Sequence, residues 1–107
     1  MTRSLLLASL LATAAFAATT AHAAGDKEAG RLKTYTCHGC HGVTGYKNAY
    51  PNYHVPRIAG QNFEYLVAAL KGYQTGDRSH PTMRAQGESL SAQDIEDIAA
   101  YLAGLTP

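Results

Sequence analysis

The stretch Cys37-His38-Gly39-Cys40-His41 contains both cysteines of the 107-residue chain and a histidine directly after the second one. Two thiols three positions apart lie on the same side of a helical turn. A Cys-x-x-Cys-His pattern is typical of c-type haem attachment, in which both thiols bond to the porphyrin and the imidazole ligates the iron. The stretch therefore predicts one covalent haem c, attached through Cys37 and Cys40, with His41 as an axial ligand.

Three other uses of these thiols compete with haem attachment. A thiol–disulfide oxidoreductase motif usually opens a helix in a βαβ unit, and the sequence contains no convincing strand. A zinc site could combine Cys37, Cys40 and His41 with a distant His54 or His80, but the second ligand pair of a usual structural site is missing. A disulfide across so short a segment would constrain the unfolded chain little. The histidine after the second cysteine favours haem.

Residues 1–23 have the composition of an export signal. Arg3 supplies a positive start, and the 14 residues from Leu5 to Ala18 carry no charge. That run is shorter than the roughly 20 apolar residues of a membrane-spanning helix and fits a signal peptide followed by the small-residue site Ala21-His22-Ala23. We expect cleavage after residue 23, with residue 24 a close alternative and an uncleaved anchor the rival interpretation. Either way, the domain at 24–107 is expected outside the cytoplasm, in the periplasm.

Charge and composition exclude some classes of function. Lysine and arginine number 9 and aspartate and glutamate 8, so the formal net charge is +1 with neutral histidines. This balance excludes the strong positive field of a non-specific nucleic-acid binder, and no nucleic-acid partner is expected. Hydrophobic residues make up 46% of the chain, which is compatible with a compact fold. Residues 24–107 are so few that a single apolar core is only marginally sufficient to stabilise the fold. We therefore expect a large cofactor to help to stabilise the domain.

Apolar periodicity and capping patterns predict an all-α domain. The predicted helices cover residues 26–35, 62–73 and 92–103. Asn62 is a candidate N-cap for the second helix, and Gly76 follows its end. Ser91 and Asp94 form a capping box at the start of the third helix, and Gly104 stops it. The apolar stripes on these helices are interpreted as ordinary core packing.

Met83 is the candidate for the second axial ligand. It is the only methionine left after signal removal, and it follows turn-forming residues over 76–82. Pro81 disfavours helical backbone over residues 79–82. We therefore predict that a loop presents the thioether of Met83 to the iron. His80 and His54 are the alternative ligands. His38, inside the attachment motif, is expected to be solvated.

The segment 46–60 is rich in Tyr, Pro, Asn and Gly and is predicted to wrap one edge of the haem. Pro56 offers a carbonyl that could accept a hydrogen bond from the ring of His41 and fix its orientation. Arg57 could pair with a haem propionate. A plain turn proline and a solvated arginine are the competing interpretations. The tyrosines of this region are expected to hydrogen-bond propionates or to pack on the porphyrin: Tyr46, Tyr50 and Tyr53.

Together, these residues resemble the short soluble bacterial cytochromes c of class I over essentially all of residues 24–107. The resemblance is carried by Gly30, 37–42, 56–61, Tyr65, Leu66, 76–78, Met83 and 90–102. It implies a compact three- to four-helix fold around one haem, with His41 and Met83 as axial ligands. It also implies that the terminal helices cross near Gly30 and Tyr101.

The resemblance further implies one-electron shuttling, not enzyme catalysis, through transient contacts with periplasmic or membrane-bound redox proteins. Two other functions stay open: a cytochrome subunit of a periplasmic dehydrogenase complex, and a haem sensor with a labile sixth ligand. No stable membrane insertion is expected after signal cleavage. The usual ring of docking lysines is sparse, with Lys27, Lys33, Lys47 and Lys71 as its candidates.

Overall fold

Five α-helices occupy the two stretches of chain that the computed structural model describes, residues 25–48 and 54–107. The helices are α1 (Lys27–Lys33), α2 (Tyr35–His41), α3 (Phe63–Thr75), α4 (Pro81–Glu88) and α5 (Ala92–Ala103). These stretches contain no strand, and the predicted all-α class is confirmed. None of their helices has the length and apolar character needed to cross a membrane. The predicted signal segment, Tyr50 and Tyr53 lie outside the described residues.

Two short helices lead through the cysteine motif, where the sequence predicts a single helix over residues 26–35. Asp26 caps α1 by accepting two backbone N–H hydrogen bonds, at 2.8 and 3.1 Å. The predicted start is therefore right, but the helix is interrupted at Thr34. Thr34 is buried, and its hydroxyl donates to the Arg31 carbonyl oxygen at 2.9 Å. Such a local side-chain bond competes with continuous helix, so α1 ends there and α2 begins one residue later.

α5 supplies most of the apolar core. The predicted capping box is present, since Asp94 N–H donates to Ser91 Oγ at 3.0 Å and Ser91 N–H donates to Asp94 Oδ2 at 2.9 Å. Gly104 is the C-cap, as predicted. Among the described residues, the buried apolar side chains are Val43, Leu66, Ile95, Ile98, Ala99, Ala100 and Leu102. Most of them belong to α5, and burial of each Ile or Leu stabilises the fold by roughly 1.5–3 kcal/mol.

The terminal helices α1 and α5 cross in close contact at Gly30. A Cβ placed on Gly30 would clash with the carbonyl oxygen of Asp97 and would lie 2.8 Å from the Cβ of Tyr101. Only a residue without a side chain leaves room for this approach. The predicted crossing near Gly30 and Tyr101 is confirmed.

Asp97 holds the same crossing together through buried hydrogen bonds. It is 3% exposed. Its carboxylate accepts from the backbone N–H of Asp26 at 2.7 Å, from Lys33 Nζ at 2.6 Å and from the Gln93 amide at 2.8 Å. These bonds, with that from Asp26 the largest cause, lower the pKa of Asp97 from 3.8 to about 2. A buried carboxylate with three donors thus links the two ends of the domain.

α3 begins and ends where its capping residues predict. Asn62 accepts a hydrogen bond from the backbone N–H of Tyr65 at 2.9 Å, and Gly76 terminates the helix in the left-handed region, at φ 86°. The helix continues two residues past the predicted end at Tyr73. Gln74, near its C-terminus, donates to the carbonyl oxygens of Gly87 at 2.8 Å and Leu90 at 2.7 Å. α3 is thereby attached to the end of α4.

Residues 81–88 form a helix where the sequence predicts a loop, and the loop prediction for Met83 is wrong. Proline is well tolerated as the first residue of a helix, because an N–H at that position has no partner within the helix. Pro81 occupies that position in α4, and His80 precedes it as an extended N-cap. Met83 therefore stands in the first turn of a helix that begins at the proline.

Candidate functional site

One cavity brings the predicted site residues together. It has a volume of about 530 Å³ and is lined by residues of α2, α3, α4, α5 and the segment 54–58. All six residues predicted to hold a haem line it: Cys37, Cys40, His41, Pro56, Arg57 and Met83. Two thiols, an imidazole and a thioether from distant parts of the sequence thus border the same space.

α2 presents the two thiols of the motif to this cavity. The helix ends at His41, and Gly42 caps it in the left-handed region, at φ 59°. Both thiols are half-buried. Burial is the main cause that raises the pKa of the Cys37 thiol above its ordinary value.

The zinc alternative finds no support in the described part of the chain. No group of three or more His, Cys, Asp or Glu side chains in residues 25–48 and 54–107 is arranged to hold a metal ion.

The ring of His41 makes the predicted hydrogen bond to the carbonyl oxygen of Pro56. Its Nδ1 lies 2.7 Å from the Pro56 carbonyl oxygen. A carbonyl can only accept, so Nδ1 carries a proton, and in the neutral ring the lone pair is then on Nε2. An imidazole in this tautomer can ligate a metal through Nε2 while the carbonyl holds its ring orientation. The predicted contact between His41 and Pro56 is confirmed.

Met83 is half-buried on α4, and both alternative ligands line the cavity with it. The Met83 backbone N–H donates to His80 Nδ1 at 3.3 Å, so the imidazole caps the helix that carries the thioether. His54 is exposed at the same cavity. The structure thus brings Met83, His80 and His54 to one space. His80 already has a role there in shaping the first turn of α4.

Arg57 lies at the cavity, whereas His38 contacts Thr34 and Tyr46. Arg57 is exposed and lines the cavity. The expectation that His38 is solvated is only partly right, because its side chain is half-buried. Its Nε2 lies 3.1 Å from Thr34 Oγ1, and its ring packs on Tyr46 with centroids 4.7 Å apart. Helical spacing places His38 one turn after Thr34, which explains the contact.

The apolar stripe of α3 faces the cavity, so its interpretation as ordinary core is only partly right. Leu66 is buried in the core, but it also lines the cavity together with Leu70 and Tyr73. Leu90, Ile98 and Leu102 contribute further apolar wall. These side chains give the cavity of about 530 Å³ its apolar walls. A porphyrin fits this donor set and these walls, because it needs apolar cover for its faces and thiols at one edge.

Sequence reasoning missed one polar cluster at this cavity. Arg78 donates from Nη1 to the Tyr65 hydroxyl at 3.2 Å and from Nη2 to the Tyr73 hydroxyl at 3.4 Å. All three residues line the cavity. The two tyrosines are about two turns apart on α3, and the arginine returns to them after Gly76 ends the helix. Their spacing on one helix was the available signal, but nothing local in the sequence connects them to Arg78.

Comparisons with known proteins agree with this geometry. The family model described as Cytochrome c matches residues 27–106. The chain is 43% identical over 98 residues to cytochrome c4 of Pseudomonas aeruginosa, an alignment that covers 92% of this chain and 47% of that protein. It is 42% identical over 81 residues to cytochrome c-554(548) of Halomonas halodenitrificans, covering 73% of this chain and 94% of that protein.

A third relative is named for a different role. The chain is 31% identical over 77 residues to the cytochrome subunit of sulfide dehydrogenase of Chlorobaculum tepidum, covering 72% of this chain and 66% of that protein. The lengths also differ among the relatives. The chain spans about half the length of the cytochromes c4 that it matches.

Proposed function

The chain belongs to the cytochrome c family, whose members bind haem c covalently, and we propose that it is a one-electron carrier with His41 and Met83 as axial ligands. One observation carries the proposal: the thiols of Cys37 and Cys40, the imidazole of His41 and the thioether of Met83 border a single cavity with apolar walls. The two cysteines have the Cys-x-x-Cys-His spacing of covalent haem attachment.

The residues of the chain divide the work of this site. Cys37 and Cys40 tether the cofactor, and the Pro56 carbonyl oxygen orients His41 through the 2.7 Å hydrogen bond. Met83 offers a soft sulfur, and α4 holds it at the cavity. When bound, the haem supplies a couple between ferric and ferrous iron that takes up or releases one electron. Apolar side chains keep water from the site, and this burial together with thioether ligation favours the reduced form.

Met83 is the better sixth ligand because His80 has another function in the same turn. His80 Nδ1 accepts the hydrogen bond that caps α4 at Met83. The His80 ring would have to turn toward the iron to ligate it, and that movement would compete with the hydrogen bond that caps α4. Met83 has no such second role, and it lines the cavity from the first turn of the helix.

Electron exchange is proposed to occur with other redox proteins in the periplasm, through small and transient contacts at the exposed edge of the haem. The export-signal composition of residues 1–23 supports this location. Loss of Arg3 with that segment would take the formal net charge from +1 to zero with neutral histidines. We therefore expect association with partners to depend weakly on ionic strength.

A redox titration of the haem-loaded protein tests the proposed function. We expect a reversible titration by one electron, followed by complete reoxidation with an external electron acceptor. Rates of electron exchange with periplasmic redox proteins should change little as salt is raised. Irreversible reduction would contradict the carrier function, and a rate that falls steeply with salt would contradict the weakly charged contact.

A second candidate function is that of a cytochrome subunit in a stable dehydrogenase complex. The similarity to the cytochrome subunit of sulfide dehydrogenase favours it, because the alignment covers 72% of this chain. Purification from the native cell separates the two candidates. A free shuttle elutes alone at the size of one small domain, whereas an enzyme subunit co-purifies with a larger chain at a fixed ratio.

A further inference from the structure

Two tyrosines of α3 hold Arg78 at the wall of the haem cavity. The guanidinium donates to the hydroxyls of Tyr65 and Tyr73 at 3.2 and 3.4 Å. Its central carbon also lies 5.7 Å from the ring centroid of Tyr65 and 5.0 Å from that of Tyr73. A cation within about 6 Å of an aromatic face is attracted by the ring quadrupole. Each tyrosine therefore restrains the charged group twice, by its hydroxyl and by its ring.

Gly72 gives the stem of Arg78 a path across α3. The backbone N–H of Arg78 donates to the Gly72 carbonyl oxygen at 3.0 Å. A Cβ on Gly72 would lie 3.0 and 3.1 Å from Cγ and Cδ of Arg78, closer than ordinary van der Waals contact. The absence of a side chain at Gly72 thus permits the arginine to lie against the helix. The exposed side chain of Arg78 thus lies along α3 between Gly72 and the two tyrosines.

No carboxylate in the described part of the chain neutralises Arg78. The ion pairs there join other residues, and the described residues that line the cavity include no aspartate or glutamate. The neighbouring Asp77 accepts a hydrogen bond from the Thr75 hydroxyl at 2.8 Å. The guanidinium stays protonated at every physiological pH. The exposed side chain of Arg78 therefore places a permanent positive charge at the cavity border, without a carboxylate partner among residues 25–48 and 54–107.

We propose that Arg78 is an electrostatic residue of this site, and that its clamped charge raises the reduction potential of the iron. The proposal rests on the proposed electron-carrier function. Reduction adds one electron and lowers the charge at the iron by one. A fixed cation nearby destabilises the more positive oxidised state relative to the reduced one. Tyr65 and Tyr73 act as positioning residues, because they hold the guanidinium at the cavity wall.

The test compares midpoint potentials of the haem-loaded protein and its Arg78→Gln, Arg78→Lys and Arg84→Gln variants. Arg84→Gln is the matched control: it removes one positive charge from α4, but Arg84 is paired with Glu88 at 2.7 Å and does not line the cavity. We expect Arg78→Gln to lower the midpoint potential and Arg84→Gln to leave it nearly unchanged. Arg78→Lys keeps the charge but loses the two-pronged contact with the tyrosines, so it should lower the potential less than Arg78→Gln does. The shift should shrink as ionic strength is raised.

Sixth-ligand integrity is followed in each variant by the far-red sulfur-to-iron charge-transfer band. If Arg78→Gln loses this band, all titrations are repeated with saturating imidazole, which places the same sixth ligand in every variant. A lower potential of Arg78→Gln than of the parent under that condition supports the proposal. Equal shifts in Arg78→Gln and Arg84→Gln would overturn it. Equal lowering in Arg78→Gln and Arg78→Lys would also overturn it, because the clamp and not the charge would then matter.

Failure of this inference is distinguishable from failure of the proposed function. If the parent titrates reversibly by one electron but Arg78→Gln and Arg84→Gln have the same potential, only the role of Arg78 is wrong. If the parent itself gives no reversible one-electron titration, the electron-carrier function is wrong.

Discussion

The backbone N–H of Met83 donates a hydrogen bond to the Nδ1 atom of His80 at 3.3 Å. His80, an alternative candidate for the sixth ligand, thus caps the helix that contains Met83. Because Met83 stands in the first turn of α4, the geometry of that turn decides how the thioether meets the cavity. His80 and Met83 therefore work as a pair, the first as a positioning residue and the second as the proposed ligand.

Substituting Met83→Ala should open the sixth position of the iron. The thioether stabilises reduced iron, so its loss should lower the reduction potential and should let the reduced protein bind CO at neutral pH. Visible spectra with and without CO, together with a redox titration, check this outcome. Gln86→Ala, on the same helix and at the same cavity, is the control and should keep the parent spectrum. An unchanged spectrum and potential in Met83→Ala would mean that another residue is the ligand.

Substituting His80→Ala should loosen the first turn of α4 without removing the thioether. Loss of an N-cap costs about 1 kcal/mol in typical helices, so the Met83 ligand should detach more often and imidazole should bind faster. His80→Asn supplies a side-chain acceptor and should recover most of the parent rate. Stopped-flow imidazole binding measures both variants. If His80 were itself the ligand, His80→Ala would lose the sixth ligand outright, whereas Met83→Ala would not.

Substituting Gly30→Ala should destabilise the helix crossing. The added Cβ would clash with the Asp97 carbonyl oxygen and approach the Tyr101 Cβ at 2.8 Å. Overpacking of this kind typically costs about 1–3 kcal/mol, which urea denaturation of the haem-loaded protein would report. Gly39→Ala is the control, because a Cβ there meets nothing within 4 Å. Equal stability of the two variants would show that the terminal helices do not pack as described.

The buried carboxylate of Asp97 should make stability fall in acid. Its folded pKa is lowered from 3.8 to about 2, so its contribution is fully present above pH 3.8 and is lost as the pH falls toward about 2. Denaturant midpoints between pH 6 and pH 2 measure this loss. Asp97→Asn should flatten that part of the profile, whereas the control Asp77→Asn, at an exposed residue, should follow the parent. A parent-like slope in Asp97→Asn would assign the acid sensitivity to another group.

Local patterns predicted α1, α3, α5 and the haem motif, but not α4. Caps such as Asn62 and the capping box at Ser91 act within one turn, so the sequence around them contains the whole interaction. The contact between His41 and Pro56 was also predictable, because an acceptor without an N–H suits an imidazole N–H. In each case the chemistry of a few neighbouring or paired residues determines the geometry.

Other features depend on pairings that the sequence does not display. The link from Asp97 to Asp26 spans 71 positions, and the restraint on Arg78 joins a loop residue to two tyrosines of α3. The loop predicted around Met83 was wrong for a local reason, since Pro81 was interpreted as a helix breaker although it also suits the first helical position. Tertiary contacts and this double role of proline limited what the sequence alone could predict.

Axial ligation of the haem iron by His41 and Met83 is the central claim. It is tested most directly by the absorption spectrum of the protein after export to the periplasm of a host that attaches haem. The spectrum is recorded oxidised, reduced, and reduced under CO. His41 and Met83 ligation predicts the weak far-red sulfur-to-iron charge-transfer band in the oxidised form and no change when CO is added to the reduced form. Absence of that band together with ready CO binding would contradict the account, because the iron would then have an open site.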